Sequence, residues 1–292
     1  MQLFLLKLLH EAFGGRWFGR AWLRNRDDIP YLLGNDNRNN NSDTYIDLEA
    51  QPWGLLSPTL LAMSDKQKVF NEIESQLNEP SPIGPLQSPT GFVWPAISQL
   101  LPWSYVRNDN SSAAWNVFLK HLYANHANVF PDIWLGIWSG PDGWVSTNSG
   151  NVPDLHGYVG GTWYSLVTPM IDFPVSNSNP DAMMLFALER MIGLEPSVDG
   201  DGLFINATRT GGTFQAYFPL IEVNSLENSI SGYYYGNNEG NLILTIALPS
   251  TVTSPTCEIN TRGYPCVLDA NKQVKLPISF VKGTVVVFNI LF

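Results

Sequence analysis

The sequence predicts an α plus β chain in which a helical N-terminal part with long aromatic loops precedes an antiparallel β-sandwich. Three observations carry that expectation. Apolar residues recur at helical spacing up to about residue 192, helices are separated by segments dense in Trp, Gly and Pro, and short β-branched or aromatic runs fill the remainder. The expected boundary is near Gly193, giving domains 1–192 and 193–292.

The helix candidates are 3–13, 51–63, 65–77, 95–106, 111–125 and 179–192. Pro52 suits a first turn, where its missing N–H costs nothing. Ser64 or Asp65 is placed to cap the periodic Val69, Phe70, Ile73 and Leu77, and Ser111 or Ser112 to cap Trp115, Phe118, Leu119 and Leu122. Residues 14–48, 79–94 and 131–178 read as long loops, and loops of such length in compact domains are usually functional. Strand candidates are 202–208, 213–223, 230–236, 241–249, 273–281 and 283–292. Asp199-Gly200-Asp201-Gly202 reads as a hairpin turn, because it lacks the further ligands and distal Glu of a calcium loop.

Composition narrows the partners. At 44% hydrophobic the 292 residues can bury a substantial core, whereas charged residues reach only 14% and the surface must rely on Asn, Ser, Thr and Gly. With 12% aromatics and 10 Trp, that surface suits neutral, hydroxyl-rich ligands: aromatic faces cover the C–H faces of sugar rings while amides and carboxylates bond the hydroxyls. A net charge of −10 argues against nucleic acid, whose recognition needs clustered Lys and Arg. No apolar run is long enough to span a bilayer, and the N-terminal MQLFLLKLLHEAF reads as an amphipathic helix rather than a signal peptide. Cys257 and Cys266 are close enough to form a local disulfide, and no neighbouring His or Cys gives them metal-ligand spacing, so neither a metal nor a cofactor is expected. Sequons at Asn40, Asn110 and Asn206 leave the compartment open.

Two segments chiefly carry a resemblance. Gly15-Arg16-Trp17-Phe18-Gly19-Arg20-Ala21-Trp22 and, further on, Ile46-Asp47-Leu48-Glu49-Ala50-Gln51-Pro52-Trp53-Gly54-Leu55-Leu56-Ser57, with its Glu-x-Gln-x-Trp, resemble successive segments of the glycoside hydrolase family 94 barrel and its relatives. That family includes cellobiose and chitobiose phosphorylases and the phosphorylase-like part of cyclic β-1,2-glucan synthases. Trp134 to Asp142 and Gly202 to Ile205 stand where relatives have an active-site loop and the strand opening a β-domain. The resemblance implies a partial (α/α)6 barrel, the C-terminal portion of an inverting glycoside hydrolase or phosphorylase-like enzyme acting on β-linked glucosides. The family's acid precedes the Trp17 segment and would fall before Met1, so the proton donor is expected from outside this chain, through a barrel half supplied by another chain or by self-association. No His aligns with the family's phosphate ligands, His126 and His156 lying outside the motif, so phosphorolysis is doubtful. A non-catalytic carbohydrate-binding protein is the alternative.

The expected substrate-binding residues are Trp17, Arg20, Glu49, Gln51, Trp53, Trp138 and Asp142, with Glu49 and Asp142 also the weak catalytic candidates. Glu49 and Gln51 at a helix mouth fit sugar hydroxyls, with Trp53 stacking a ring; they equally fit helix N-terminal groups bonding backbone donors. Arg20 is placed to brace Asp27, Asp47 or Glu49. Asp142 and Asp172 fit either a cleft or turn chemistry. Tyr233-Tyr234-Tyr235 fits a sugar platform and alternating strand packing equally well.

Overall fold

The computed structural model describes residues 11–24, 26–34, 45–129, 143, 146, 178–197, 200–210 and 213–292. It divides into two compact units, Met1–Leu188 and Glu189–Phe292. The division falls within the last helix, just ahead of Gly193.

The first unit opens with an antiparallel hairpin, β1 (Ala21–Arg24) and β2 (Pro30–Leu33), turned through Asp28 at φ 62°. Seven helical segments follow among the described residues: α1 (Ala50–Leu56), α2 (Met63–Ile73), α3 (Pro95–Ser98), α4 (Leu100–Val106), α5 (Ser111–His121), α6 (Tyr123–Val129) and α7 (Ser178–Met191). A π-helical turn, Glu74–Asn78, extends α2. Helices α1 and α5 both pack on α4. These elements make the chain α plus β, but they are too short and too few to define a barrel.

Two prolines account for helices shorter than their apolar periodicity implies. Pro58 forces Ser57 out of the helical region, to ψ 125°, so the helix expected over 51–63 ends at Leu56. Pro102 has no N–H for the carbonyl four residues earlier, and the helix expected over 95–106 breaks at Gln99 into α3 and α4. The helix expected over 111–125 breaks at Leu122, which is extended at ψ 136°, and Asn125 Nδ2 takes up the freed Lys120 carbonyl at 2.9 Å. The caps also differ from expectation. Asn110, not Ser111 or Ser112, accepts from Ala113 N at the start of α5, and α2 begins after Ala62 with no side-chain cap, so neither Ser64 nor Asp65 fills that role.

Polar side chains hold this unit's irregular backbone. Asn108 Nδ2 donates to the carbonyls of Leu55 and Ser104 and its Oδ1 accepts from Lys66, tying the ends of α1 and α4 to α2. Between the π-helical turn and α3, Lys120 Nζ donates to Asn78 O at 2.8 Å and Ser81 O at 3.2 Å, and Asn125 Nδ2 donates to Pro82 O. His126 Nε2 lies 3.0 Å from Ile83 O, and His121 packs its Nε2 against Gly84, where an added Cβ would stand 2.4 Å away. Gly84 is at φ 119°, so both its conformation and its neighbour require glycine. Tyr105 stacks on Phe70 with ring centroids 4.6 Å apart and donates its hydroxyl to Glu74.

The second unit is a two-layer sandwich. One sheet has six strands in the order β10-β9-β12-β7-β6-β5: β5 (Phe214–Tyr217), β6 (Ile221–Leu226), β7 (Ser229–Tyr235), β9 (Thr256–Ile259), β10 (Arg262–Tyr264) and β12 (Val285–Leu291). The other has four in the order β11-β8-β4-β3: β3 (Leu194–Pro196), β4 (Gly202–Ile205), β8 (Gly240–Ala247) and β11 (Gln273–Phe280). All pairings are antiparallel except β4 with β8, which is parallel, so the expected antiparallel sandwich is corrected to a mixed four-stranded sheet. The expected run 213–223 is two strands rather than one, and β3, β9 and β10 are additional to the expected set.

Period-two burial builds the core. Ile221 and Val223 of β6, Ile230 and Tyr234 of β7, and Val286, Phe288 and Ile290 of β12 face Leu244 and Ile246 of β8 and Val274, Leu276 and Ile278 of β11 in one apolar cluster. Phe288 crosses above Gly232, where an added Cβ would stand 2.6 Å from the ring. Ser197 Oγ donates to Asp201 across the turn joining β3 to β4. Beside it a buried ion pair joins Arg209 to Glu195. Cys257 and Cys266 are bonded, with Cα atoms 5.3 Å apart, fastening β9 to the chain beyond β10.

Replacing Phe288 with Ala is expected to destabilise this unit by about 3–5 kcal/mol, because a fully buried ring is removed from between two sheets that cannot collapse onto each other; chemical denaturation measures it. A pH effect belongs to the first unit. His121 and His126 are buried with ring centroids 6.5 Å apart. Burial pushes His121 well below its ordinary value, with His126 and Lys120 repelling its charged form, and burial pushes His126 down to about 4 against the opposing Ile83 and Lys120 carbonyls. Both favour neutral imidazole in the folded state. Their contribution is therefore intact above the unfolded value of about 6.5 and is lost as pH falls towards the folded values. The urea midpoint should drop from pH 7 to pH 5, and His126→Gln should flatten that slope.

Candidate functional site

The first unit carries a cleft of about 470 Å3 where the hairpin meets α1. Its walls come from Phe18, Arg20 and Trp22 on one side and Ala50, Trp53 and Ser57 on the other. Two sequence-distant segments thus form one site, and the joint between them is a buried side chain. Gln51 Nε2 donates to Phe18 O at 2.8 Å and Asp47 O at 2.7 Å, while its Oε1 accepts from Phe18 N at 2.9 Å. An amide has two donors and an acceptor to place, and here all are used. Close packing completes the joint: Phe18 lies against Gly54, where an added Cβ would stand 2.2 Å from Phe18 Cε2.

Polar groups beside the cleft gather around Arg20, which lines it. Its guanidinium spans two carboxylates, Nη1 to Asp47 Oδ2 at 3.2 Å and Nη2 to Glu49 Oε2 at 2.8 Å. Asp47 Oδ1 also accepts from Glu49 N at 3.1 Å, the local turn that sets α1 going. Asp47 is buried, and burial raises its carboxyl above the usual range despite the opposing Glu49 N–H and Arg20 charge. Glu49 and Arg20 remain partly exposed, with side chains at 44% and 37%. A half-neutralised carboxylate beside an accessible guanidinium can accept and donate to vicinal hydroxyls. Both carboxylates share one cation, which suits binding better than a division of labour between an acid and a base.

Aromatic faces flank that cluster. Trp53 is 57% exposed and Trp22 42% exposed, unusual for the side chain with the largest apolar area. Trp53 faces outward because Gln51, Pro52, Gly54 and Leu55 take the buried positions of α1. Trp22 stands on β1 opposite Leu32 of β2.

The expected site residues therefore divide. Arg20 and Trp53 line the cleft, and Glu49 stands beside it through its ion pair with Arg20. Gln51 is 0% exposed and works as the joint, so it cannot touch a ligand directly. Trp17 is buried too, its indole N–H donating to Gly34 O at 3.0 Å and its face covered by Arg16 at 4.5 Å, which moves it from the binding surface to the framework. Trp138, Asp142, Asp172 and His156 lie outside the described residues. His126 is buried against Ile83 O and is no anion ligand. Trp22 is the residue the sequence did not single out. Its signal was the four-residue strand Ala21-Trp22-Leu23-Arg24, too short to stand out inside a presumed loop.

Stability and binding should separate on this arrangement. Gln51→Ala strands the Phe18 amide and two carbonyls in a dry joint and is expected to cost about 2–4 kcal/mol in thermal or urea unfolding. Trp53→Ala, on an exposed face, is expected to stay within about 1 kcal/mol of wild type in the same measurement.

No protein-family model matches the chain, and no curated protein matches it. Among solved structures, the chain is similar to a GH127 β-L-arabinofuranosidase from Geobacillus stearothermophilus T6, at 11% identity and TM-score 0.29, over 79% of this chain and 38% of that one. It is similar to an α-L-rhamnosidase from Dictyoglumus thermophilum, at 10% identity and TM-score 0.42, over 85% and 25%. A third, described as a glycoside hydrolase, gives 11% identity and TM-score 0.28 over 78% and 42%. All three neighbours are glycoside hydrolases, none is described as a family 94 protein, and the chain spans less than half the length of each.

Proposed function

We propose that this chain is a carbohydrate-active protein whose first-unit cleft is a sugar subsite. The observation that carries the reading is the pair of exposed indoles, Trp53 and Trp22, lining one cleft with Arg20, whose guanidinium is paired to the neighbouring Glu49. An indole face covers the axial C–H face of a pyranose, and the adjoining charged pair bonds its equatorial hydroxyls, a division of labour typical of small-ligand sites. The finer reading follows the resemblance of the two motif segments: the cleft belongs to the C-terminal portion of an inverting hydrolase or phosphorylase-like protein acting on β-glucosides, within a partial (α/α)6 barrel. The proton donor is then supplied by residues outside the described cleft, from another barrel half or a second copy. Exposed Leu119 on α5 and Leu185 on α7 are apolar faces such a partner would cover. A non-catalytic binding protein is the second reading, favoured by the single guanidinium that occupies both Asp47 and Glu49.

Titration with β-gluco-oligosaccharides, followed by tryptophan fluorescence, tests the subsite. Saturation at millimolar sugar or below is expected, with Trp53→Ala weakening the affinity about tenfold, the equivalent of one lost stacking contact. Absence of any saturable change in the wild type would sink the reading. Release or phosphorolytic transfer of glucose from the same oligosaccharides separates the enzyme from the binding protein.

A further inference from the structure

The second unit carries a surface that the cleft does not use. Alternation along the strands sorts Tyr233-Tyr234-Tyr235 into two roles. Tyr234 points into the core against Phe280, with ring centroids 4.9 Å apart, while Tyr233 and Tyr235 stand on the opposite face. The pairing registers then assemble that outer face. Tyr217 of β5 pairs with Glu222 of β6, and Glu222 pairs with Tyr233 of β7, so the three side chains form one row across the strands. Tyr235, two residues along β7, donates its hydroxyl to Glu222 and joins the same group. Tyr217 is 67% exposed and Tyr233 40% exposed.

A second row runs beside the first. Gln215, Asn224, Ser231, Asn289 and Glu258 are successive register partners across β5, β6, β7, β12 and β9. Two residues along each strand separate the rows by roughly 7 Å, and Tyr217 and Tyr233, two strands apart, are separated by roughly 10 Å. Aromatic faces in one line and amides and hydroxyls in the next are the two things a flat saccharide chain needs from a protein surface.

We infer that this outer face of the six-stranded sheet is a second binding site, which takes an extended, neutral polysaccharide along the Tyr217–Glu222–Tyr233 row with its hydroxyls on the parallel amide row. Charge and polarity select that occupant. The outward positions of β5, β6, β7, β9 and β12 contain Glu222 and Glu258 and no Lys or Arg, so phosphate- or sulfate-bearing polymers are repelled. Gln215 accepts from the Tyr217 hydroxyl and Asn289 donates to Glu258, and an apolar protein partner would bury Asn224 and the remaining donors and acceptors of that row with nothing in return. A neutral polymer of hydroxyls supplies both. The site lies in a different unit from the cleft and does not depend on the cleft's binding sugar.

Affinity gel electrophoresis of the full chain through hydroxyethylcellulose, mixed-linkage β-glucan, glucomannan and arabinoxylan, with heparin as the polyanion, tests the inference. The Trp53→Ala variant, whose cleft is impaired, is expected to remain retarded by at least one neutral polysaccharide and to pass heparin freely. Adding Tyr217→Ala and Tyr233→Ala should weaken that retardation about tenfold or more, with an unchanged melting temperature because both side chains are solvent-facing. Loss of all retardation in Trp53→Ala alone would overturn this site while leaving the cleft reading intact. Unchanged retardation in the tyrosine variants would overturn it as well, as would a tyrosine effect seen only in self-association by sedimentation. Oligosaccharide titration by fluorescence, run on the tyrosine variants, should match the wild type and so keeps the two sites distinct.

Discussion

The cleft exists because one buried amide holds two strangers in sequence together. Gln51 reaches from the first turn of α1 to both backbone groups of Phe18 and to the carbonyl of Asp47. The position of Arg20 relative to Glu49, and of Trp22 relative to Trp53, follows from that joint. Such a connection depends on burial: in water the same three bonds would compete with solvent, whereas in a dry joint leaving any of them unmade is expensive. The exposed part of the cleft is correspondingly free to be chemical rather than structural. Its indoles contribute little to the core and are available to a ligand.

The second unit solves a different problem. In its six-stranded sheet the core on β6, β7 and β12 is made by alternation, which leaves every second residue of those strands for another use. On β12 that second set is Val285, Val287, Asn289 and Leu291, and on β9 it is Thr256 and Glu258. Across β5, β6 and β7 it is a line of tyrosines around a carboxylate. The same period that packs Tyr234 inside sets Tyr233 and Tyr235 outside, so the three-tyrosine run serves both faces at once.

Much of this was legible in the sequence where the physics is local. The α plus β composition and six of the strand segments follow from periodicity and turn residues, and the Glu49, Arg20 and Trp53 grouping from motif spacing. Helix lengths were overestimated because apolar periodicity continues through Pro58 and Pro102, while the backbone cannot. The β1–β2 hairpin was hidden by its length, and with it the exposure of Trp22. The role of Gln51 was unreadable for a deeper reason. A glutamine at a helix mouth looks the same whether its amide faces a ligand or the backbone of a segment far away in sequence, and only the tertiary arrangement decides. Trp17 shows the converse: it belongs to the motif but is consumed by the framework.

The parallel pairing of β4 with β8 bears on how the second unit is assembled. Every other ladder in the unit joins strands whose directions a simple reversal of chain supplies, but β4 meets β8 only after β5, β6 and β7 have been laid down in the opposite layer. The four-stranded sheet therefore cannot close while its own N-terminal half waits alone. Until β8 emerges, the β3–β4 hairpin presents an open edge with Leu203 and Ile205 unburied, and closing it brings Gly240 back to a strand that ended at Ile205. Order of synthesis thus leaves β4 with one edge unpaired until β8 is made, and the register it adopts there is set by a partner later than itself.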